Sequence, residues 1–484
     1  MADEEIKSPL PERRFEEAGM TEPSVVPPTK MVRKNSLPVL LVVGLIIAAI
    51  YFLVTRVLIP KINGDKITSG GKVNLTYWGL WEEPAVIESM IADYQSQNPN
   101  VKITYVNSQR TNYRSRLQTK LESKSSDAPD IFRIHASWLP MFKGDLAKVP
   151  TETANSVGLD SDYFETYKNS IKSGGSWLGI PLMYDGLELF YNKDLVESGQ
   201  VSLPKSWWDL QTAGTKLTVK DSNGKIVVAG VALGLTENVD QWSDILGLMI
   251  KQSGVDVLAT DSSNTKKLAD VLTFYTLFAT KYGVWDQTLP NSTEMFANGK
   301  LAFYFGPSWR VFNIEETKIP GLNYEITNVP QLPTIAGAME QTEGNEANLT
   351  NINWSSYWVE GVNPNSKNQK EAWKFLAYLS KPENLEKMYT AASQLRSFGE
   401  IYPRKSMVNK LNTNNKIKPF VNAAETATGW YLSSRTYDDG LNDTMSGYFK
   451  NAINSMVSKN IAAEAVMTDL RSGIEQMVTR YKLK

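Results

Sequence analysis

The chain has no cysteine and a single histidine, His135, in 484 residues. Without cysteine there are no disulfides, no thiolate metal sites and no cysteine nucleophile. With one histidine, a Ser-His-Asp triad could use only His135, and a His-x-x-x-His metal pair cannot exist. Neither sign of charge is in excess: 51 Lys and Arg face 52 Asp and Glu, for a net charge of −1. Nucleic-acid binding wants a basic face, so no nucleic-acid partner is expected. No Walker A pattern, no internal repeat and no cofactor motif occurs, and no cofactor or metal is expected. Apolar residues make up 42% and charged residues 21%, as in an ordinary globular protein. The length exceeds that of a typical single domain, so two domains or lobes are expected. Tryptophan is what the chain has in abundance, with 13 copies.

Residues 1–36 are polar, rich in Pro and Glu and without apolar periodicity, which predicts a disordered tail. Leu37 to Val54 are apolar and uncharged. About 20 residues span the hydrocarbon of a bilayer, so an uncleaved transmembrane helix is expected over 37–59. A cleaved signal peptide fits less well: the preceding region and the apolar run are too long, and no small-x-small site follows. Residues 60–72 carry Gly and Lys and read as a flexible linker.

From Val73 onward the pattern is α/β. Val73–Trp78, Val101–Tyr105 and Asp130–Ile134 read as strands. Pro84 opens a helix with Ile87, Ile91 and Tyr94 on one face; Tyr113, Leu117 and Leu121 mark another. This alternation predicts a mainly parallel sheet covered by helices. Ile180–Leu195 contains a strand stopped by Asn192-Lys193-Asp194, and Ser206 suits a helix N-cap. Lys216–Leu233 reads as a hairpin with a type I′ turn at Asn223-Gly224. Further on come a helix carrying Leu268, Leu272 and Tyr275, a strand over 301–305, a polar loop over 335–351 and helices at 370–379 and around Val466–Tyr481.

The ordered series G-x-x-W-L-G-I-P from Gly174, L-F-Y-N-K-D-L from Leu189 and L-P-K-S-W-x-D-L from Leu203 resembles the family 1 extracellular solute-binding proteins of ABC importers, the maltose- and sugar-binding group. The resemblance implies a periplasmic-binding-protein-like type II fold: two lobes of discontinuous segments, joined by a hinge. It places crossovers near 185, 330 and 382. Lobe one is then 73–185 with 330–382, and lobe two 186–329 with 383–484. It also implies a binding protein rather than an enzyme, facing outside the cytoplasm, with permease subunits as partners and the ATPase on another chain. Many bacterial members are tethered through a lipid-modified cysteine. This chain has none, which leaves membrane attachment to the apolar segment.

Sites in open α/β sheets lie beyond the carboxyl ends of strands. Trp78, Trp81 and Glu82 follow the first strand, Arg110 the second, and His135, Ser137 and Trp138 the third. Tyr184 and Asp185 sit at the first crossover. Asp240, Trp242, Trp309 and Arg310 follow strands of the second half; Trp354 and Trp358 come later, then Arg404 and the run Trp430-Tyr431 to Arg435. Indoles suit the apolar face of a pyranose, while carboxylates and guanidiniums suit its hydroxyls. The expected ligand set is Trp78, Glu82, Arg110, His135, Trp138, Tyr184, Asp185, Trp242, Trp309, Arg310, Trp354, Trp430 and Tyr431. A carbohydrate is the expected ligand; a polyamine, a glycerol phosphate or a peptide is the alternative on the same fold, and a receptor subunit without a transporter another. The resemblance matches Asp185 and His135-Ala136-Ser137 to positions that hold sugar hydroxyls. A glycoside hydrolase would need a carboxylate pair about 5–10 Å apart, and no recognised motif supplies one.

Overall fold

A computed structural model describes residues 71–333 and 349–483. The tail over 1–36, the apolar segment over 37–59 and the linker up to Gly70 lie outside the described residues, as does most of the polar loop 335–351.

The described chain builds two large sheets and one two-stranded ribbon, Lys172–Ser173 with Ser176–Trp177. The first contains β1 (Val73–Gly79), β2 (Val101–Asn107) and β3 (Ile131–His135), all parallel. The second contains β4 (Gly186–Asn192), β5 (Ile226–Val231), β6 (Leu301–Gly306), β7 (Tyr324–Thr327) and β8 (Asn353–Ser355). Then β9 (Trp358–Val362) returns to the first sheet antiparallel to β3, and β10 (Ala427–Thr428) closes the second beside β8. The first sheet is thus ordered β9-β3-β1-β2, and the second runs β10-β8-β4-β6-β5 with β7 also paired to β4. The first sheet is mainly parallel, as expected; the second is mixed, because β4 is flanked by antiparallel neighbours on both sides.

Local sequence explains the elements. In helix α1 (Pro84–Gln97), Pro occupies the first turn, where its missing N–H costs nothing, and Ile87, Ile91 and Tyr94 are buried. Helix α2 (Tyr113–Glu122) buries Tyr113, Leu117 and Leu121. Helix α3 (Trp207–Leu217) begins with a capping box: the Asp209 N–H donates to the Ser206 hydroxyl and the Ser206 N–H to the Asp209 carboxylate. Helix α4 (Trp242–Gln252) is buried along most of its length, and α5 (Ser262–Thr280) packs against the last two helices, α6 (Leu441–Lys459) and α7 (Ala463–Tyr481). Among the described residues, no helix is long and apolar enough to cross a membrane.

Strand β4 forms where the alternating pattern predicts it, but it is more enclosed than expected: all seven residues are buried. Glu188 lies in its middle, accepting the Val329 N–H at 3.0 Å, and burial holds its carboxyl well above the usual range. A hairpin forms between Val219–Lys220 and β5. Its turn differs from type I′, which needs positive φ at both central residues. Only Gly224 has one (77°), and the Asp221 carboxylate instead accepts the N–H groups of Asn223 and Lys225.

Sheet membership shows where the chain changes sides. Ile180 bridges Glu360 of the first sheet, and Gly186 begins β4 of the second. Ser355 ends β8 in the second sheet, and Trp358 begins β9 in the first. Between Ser355 and Trp358 the chain thus passes from the second sheet to the first. Helix Pro382–Ser393 packs on α1, and Ile401 and Arg404 bridge Tyr184 and Tyr163 before β10 joins the second sheet.

Candidate ligand-binding cleft

The carboxyl ends of β1, β2 and β3 carry Trp81, Arg110 and His135 to one edge of the first sheet. Segments following β5 and β6 bring Asp240 and Trp309-Arg310 from the second. The stretch 430–437 lies between them. Tyr437 joins the two sides: its ring is 6.0 Å from that of Trp81 and lies 5.1 Å under the Arg110 guanidinium. Trp81 also meets Trp358 edge-on at 6.0 Å, and Trp358 meets His135 at 5.1 Å. On the other side Arg435 donates to Asp240 Oδ1 at 2.5 Å, and Arg310 Nη2 stands 3.2 Å from the same oxygen. The Arg310 guanidinium lies 4.6 Å over the Trp309 ring.

The backbone here is unusual. Trp81 (φ 73°), Arg435 (55°), Tyr437 (54°) and Asp439 (43°) all adopt the left-handed region. Such residues each cost of order 1–3 kcal/mol and concentrate at functional sites. Trp81 is also 41% exposed, a large indole held out to solvent on a strained backbone.

A cavity of about 640 Å³ opens on the other flank of His135. Its first wall is His135–Ser137, Leu139 and Pro140 with Asn169 and Ser170; its second is 254–258 with Thr428–Tyr431 and Ser433; Ser355 and Tyr357 form the floor where the chain passes between the sheets. The lining is mostly hydroxyl, amide and aromatic, and its charged members are Lys251 and Asp256. Hydrogen bonds order the floor: Thr166 and Ser355 hydroxyls meet at 2.8 Å, and Ser170 bonds Tyr357. Asn442 Nδ2 donates to Ser137 Oγ at 2.8 Å across the two walls. The strand-end cluster adjoins this cavity through His135, whose ring meets Trp358, and through the chain from Ser433 to Arg435.

His135, Asp185 and Glu82 are among the groups whose acidity burial shifts. His135 is buried between the hydroxyls of Ser137 (2.7 Å) and Ser356 (3.1 Å), and desolvation lowers its pKa to about 3, so it is neutral. Asp185 accepts the N–H groups of Gly186 (2.8 Å) and Ser308 (3.0 Å), yet burial outweighs these bonds and raises it to about 7. Burial, then the neighbouring Glu400, raises Glu82 to about 7 as well.

Of the expected ligand set, Glu82, Arg110, His135, Asp185, Trp309 and Arg310 sit at or behind the groove, and Trp430 and Tyr431 line the cavity. Five other members of the set pack elsewhere. Trp138, Tyr184 and Trp354 are 0–1% exposed and belong to the core. Trp354 donates to Asp244 Oδ1 at 2.8 Å, with its ring against Gly247. Trp78 and Trp242 are half-buried packing residues, Trp78 lying against Tyr113. Arg404, another strand-end candidate, is buried in an ion pair with Asp162 at 2.7 Å. The strand continues through Gly79, so the exposed indole beyond its end is Trp81 rather than Trp78. Tyr437 was not among the expected residues; it lies nine residues beyond β10, and its position depends on the left-handed backbone at 435, 437 and 439.

Comparison with known proteins agrees with this architecture. The maltodextrin-binding protein MdxE of Bacillus subtilis is 25% identical over 313 residues, covering 61% of this chain and 69% of that protein. The sugar-binding protein MalE of Xanthomonas citri superposes with a TM-score of 0.67 at 19% identity, covering 85% of this chain and 98% of the other. A cyclo/maltodextrin-binding protein complexed with maltotetraose gives 0.65 at 15% identity over 85% and 99%. These structures share the two-sheet binding-protein fold. Residues 89–410 match the model of a family of binding proteins rather than enzymes, and the chain belongs to that family, the bacterial extracellular solute-binding proteins.

Proposed function

We propose that this solute-binding protein captures an oligosaccharide in the groove between its two sheets and delivers it to the permease of an ABC importer. The observation that carries the reading is the pairing of aromatic and polar groups: half-exposed Trp430 and Tyr431 line the cavity beside hydroxyl and amide groups, and exposed Trp81 and half-exposed Trp358 stand in the adjoining cluster with its guanidiniums. Flat aromatic faces match pyranose C–H surfaces, and the polar groups match ring hydroxyls. The cavity volume falls within the range of small-ligand sites, about 300–1,000 Å³. That MdxE and MalE are named as maltodextrin- and sugar-binding proteins supports the same ligand class.

Two lobes that follow sheet membership would be 73–182 with 358–404, and 186–355 with 427–483. The three connections between them form the hinge, and closure is favoured by the ligand's higher affinity for the closed state. Residues 37–59 anchor the chain, with the binding lobes outside the cytoplasm. The uncharged run Leu37–Val54 supports this, and the charged residues on both its flanks leave orientation to the family's extracellular role.

A thermal-shift screen of the full chain against neutral and acidic oligosaccharides, polyamines and peptides tests the reading. A ligand that binds only the folded state raises the melting temperature by mass action. Saccharides are expected to give the shift. A shift with polyamines or peptides alone keeps the family and discards the carbohydrate.

A further inference from the structure

Arg310 is 7% exposed, and its Nε is buried without a hydrogen-bond partner. Its Nη1 reaches only Asn313 at 3.3 Å, and its Nη2 shares Asp240 Oδ1 with Arg435. The Asp240 carboxylate is already engaged: its oxygens also accept from Asn291 at 3.0 Å and from Thr293. Two guanidiniums therefore stand on one oxygen of one carboxylate. A third, Arg110, is exposed and hangs over Tyr437, whose ring touches Trp81. In these contacts three guanidiniums meet one carboxylate, with Glu82, Glu83, Asp438 and Asp439 next along the chain, and Arg310 is desolvated. Burying a guanidinium without full pairing is costly and is tolerated where a ligand completes the set. The Trp309 ring covers one face of Arg310 and leaves its N–H edges for an in-plane partner, the geometry that suits a carboxylate.

We infer that the strand-end cluster of Arg310, Arg435 and Arg110, framed by Trp81 and Tyr437, takes the carboxylate of an acidic sugar unit, so that the ligand is a uronate-containing oligosaccharide. The inference rests on the carbohydrate reading above and narrows it. Guanidinium edges bind the carboxylate, and the aromatic faces stack on the rings of the same chain.

Calorimetric titration of the full chain tests this. The probes are galacturonate, glucuronate and mannuronate trimers, each beside its methyl ester, which removes the charge at nearly constant shape, and neutral maltotriose. At least one free acid is expected to bind about tenfold or more tighter than its ester, as charge-assisted hydrogen bonds imply, with affinity falling as NaCl rises. Arg435→Gln is expected to abolish that preference while Arg435→Lys keeps part of it, and melting without ligand tells a folding defect from a lost contact. Equal binding of acid and ester, or preference for maltotriose, overturns the inference and leaves the carbohydrate reading standing. No binding of any saccharide, with a polyamine or peptide bound instead, overturns both.

Discussion

Replacing Glu360 with Gln probes the support beneath the groove. Glu360 is 1% exposed and sits two residues from Trp358 on β9. Its Oε1 accepts from Arg133 Nε at 2.8 Å and from the Tyr77 hydroxyl at 2.7 Å, and Arg133 Nη2 lies 2.7 Å away. Arg133 is itself 5% exposed and ties down the Leu80 carbonyl at 2.9 Å, one residue before Trp81. Glu360→Gln keeps the shape and removes the charge, which leaves a buried guanidinium without its main counter-ion. Breaking a buried pair from one side costs about 3–5 kcal/mol. Tyr77→Phe removes one hydrogen bond to the carboxylate and costs roughly 1.5–3 kcal/mol. The double replacement Arg133→Met with Glu360→Leu removes both charges and should recover most of the loss. Urea denaturation of the four proteins measures this as shifts in transition midpoint. If the double variant is no more stable than Glu360→Gln, or if Glu360→Gln costs under about 1 kcal/mol, the buried-pair reasoning from one-sided removal is wrong.

Further outcomes follow from the same geometry. Trp354→Ala opens a core cavity and orphans Asp244, so unfolding should become easier by about 3–5 kcal/mol in denaturant titrations; Trp81→Ala, at an exposed position, should leave the midpoint nearly unchanged. His135 is neutral when folded down to pH about 3, whereas an unfolded histidine takes a proton near 6.5. Stability is therefore lost as pH falls from 6.5 toward 3, by roughly 2–3 kcal/mol at pH 4.5. His135→Gln should flatten that slope, and urea midpoints at pH 6.5 and 4.5 check it. Asp185 runs the other way: its folded pKa of about 7 exceeds the unfolded value, so its cost appears as pH rises from about 4 to 7 and persists above. Asp185→Asn, which can still accept the Ser308 and Gly186 N–H groups, should therefore stabilise the protein more at pH 8 than at pH 5 in the same assay.

Elements with a strong local code were legible in the sequence. Pro84, the Ser206 N-cap and the alternation through β1 to β3 each act within a few residues, and each appears where expected. The turn at Asn223-Gly224 was misread because the Asp221 side chain competes for the turn's N–H groups, a contact the dipeptide does not reveal. Strand β8 was not legible, because it is three residues long and too short to show a period. Among the tryptophans, strand-end position did not separate a core indole such as Trp354 from an exposed one such as Trp81. That difference comes from packing between distant segments, Gly247 leaving room for the first and left-handed backbone turning the second outward.

Isothermal titration of the full chain and its Trp81→Ala variant with an oligosaccharide that shifts the melting temperature would decide whether the groove is the binding site. The expected result is saturable one-to-one binding by the parent chain and a loss of about tenfold or more in the variant, with unchanged unliganded melting. Undiminished affinity in Trp81→Ala would contradict the placement of the ligand between the two sheets.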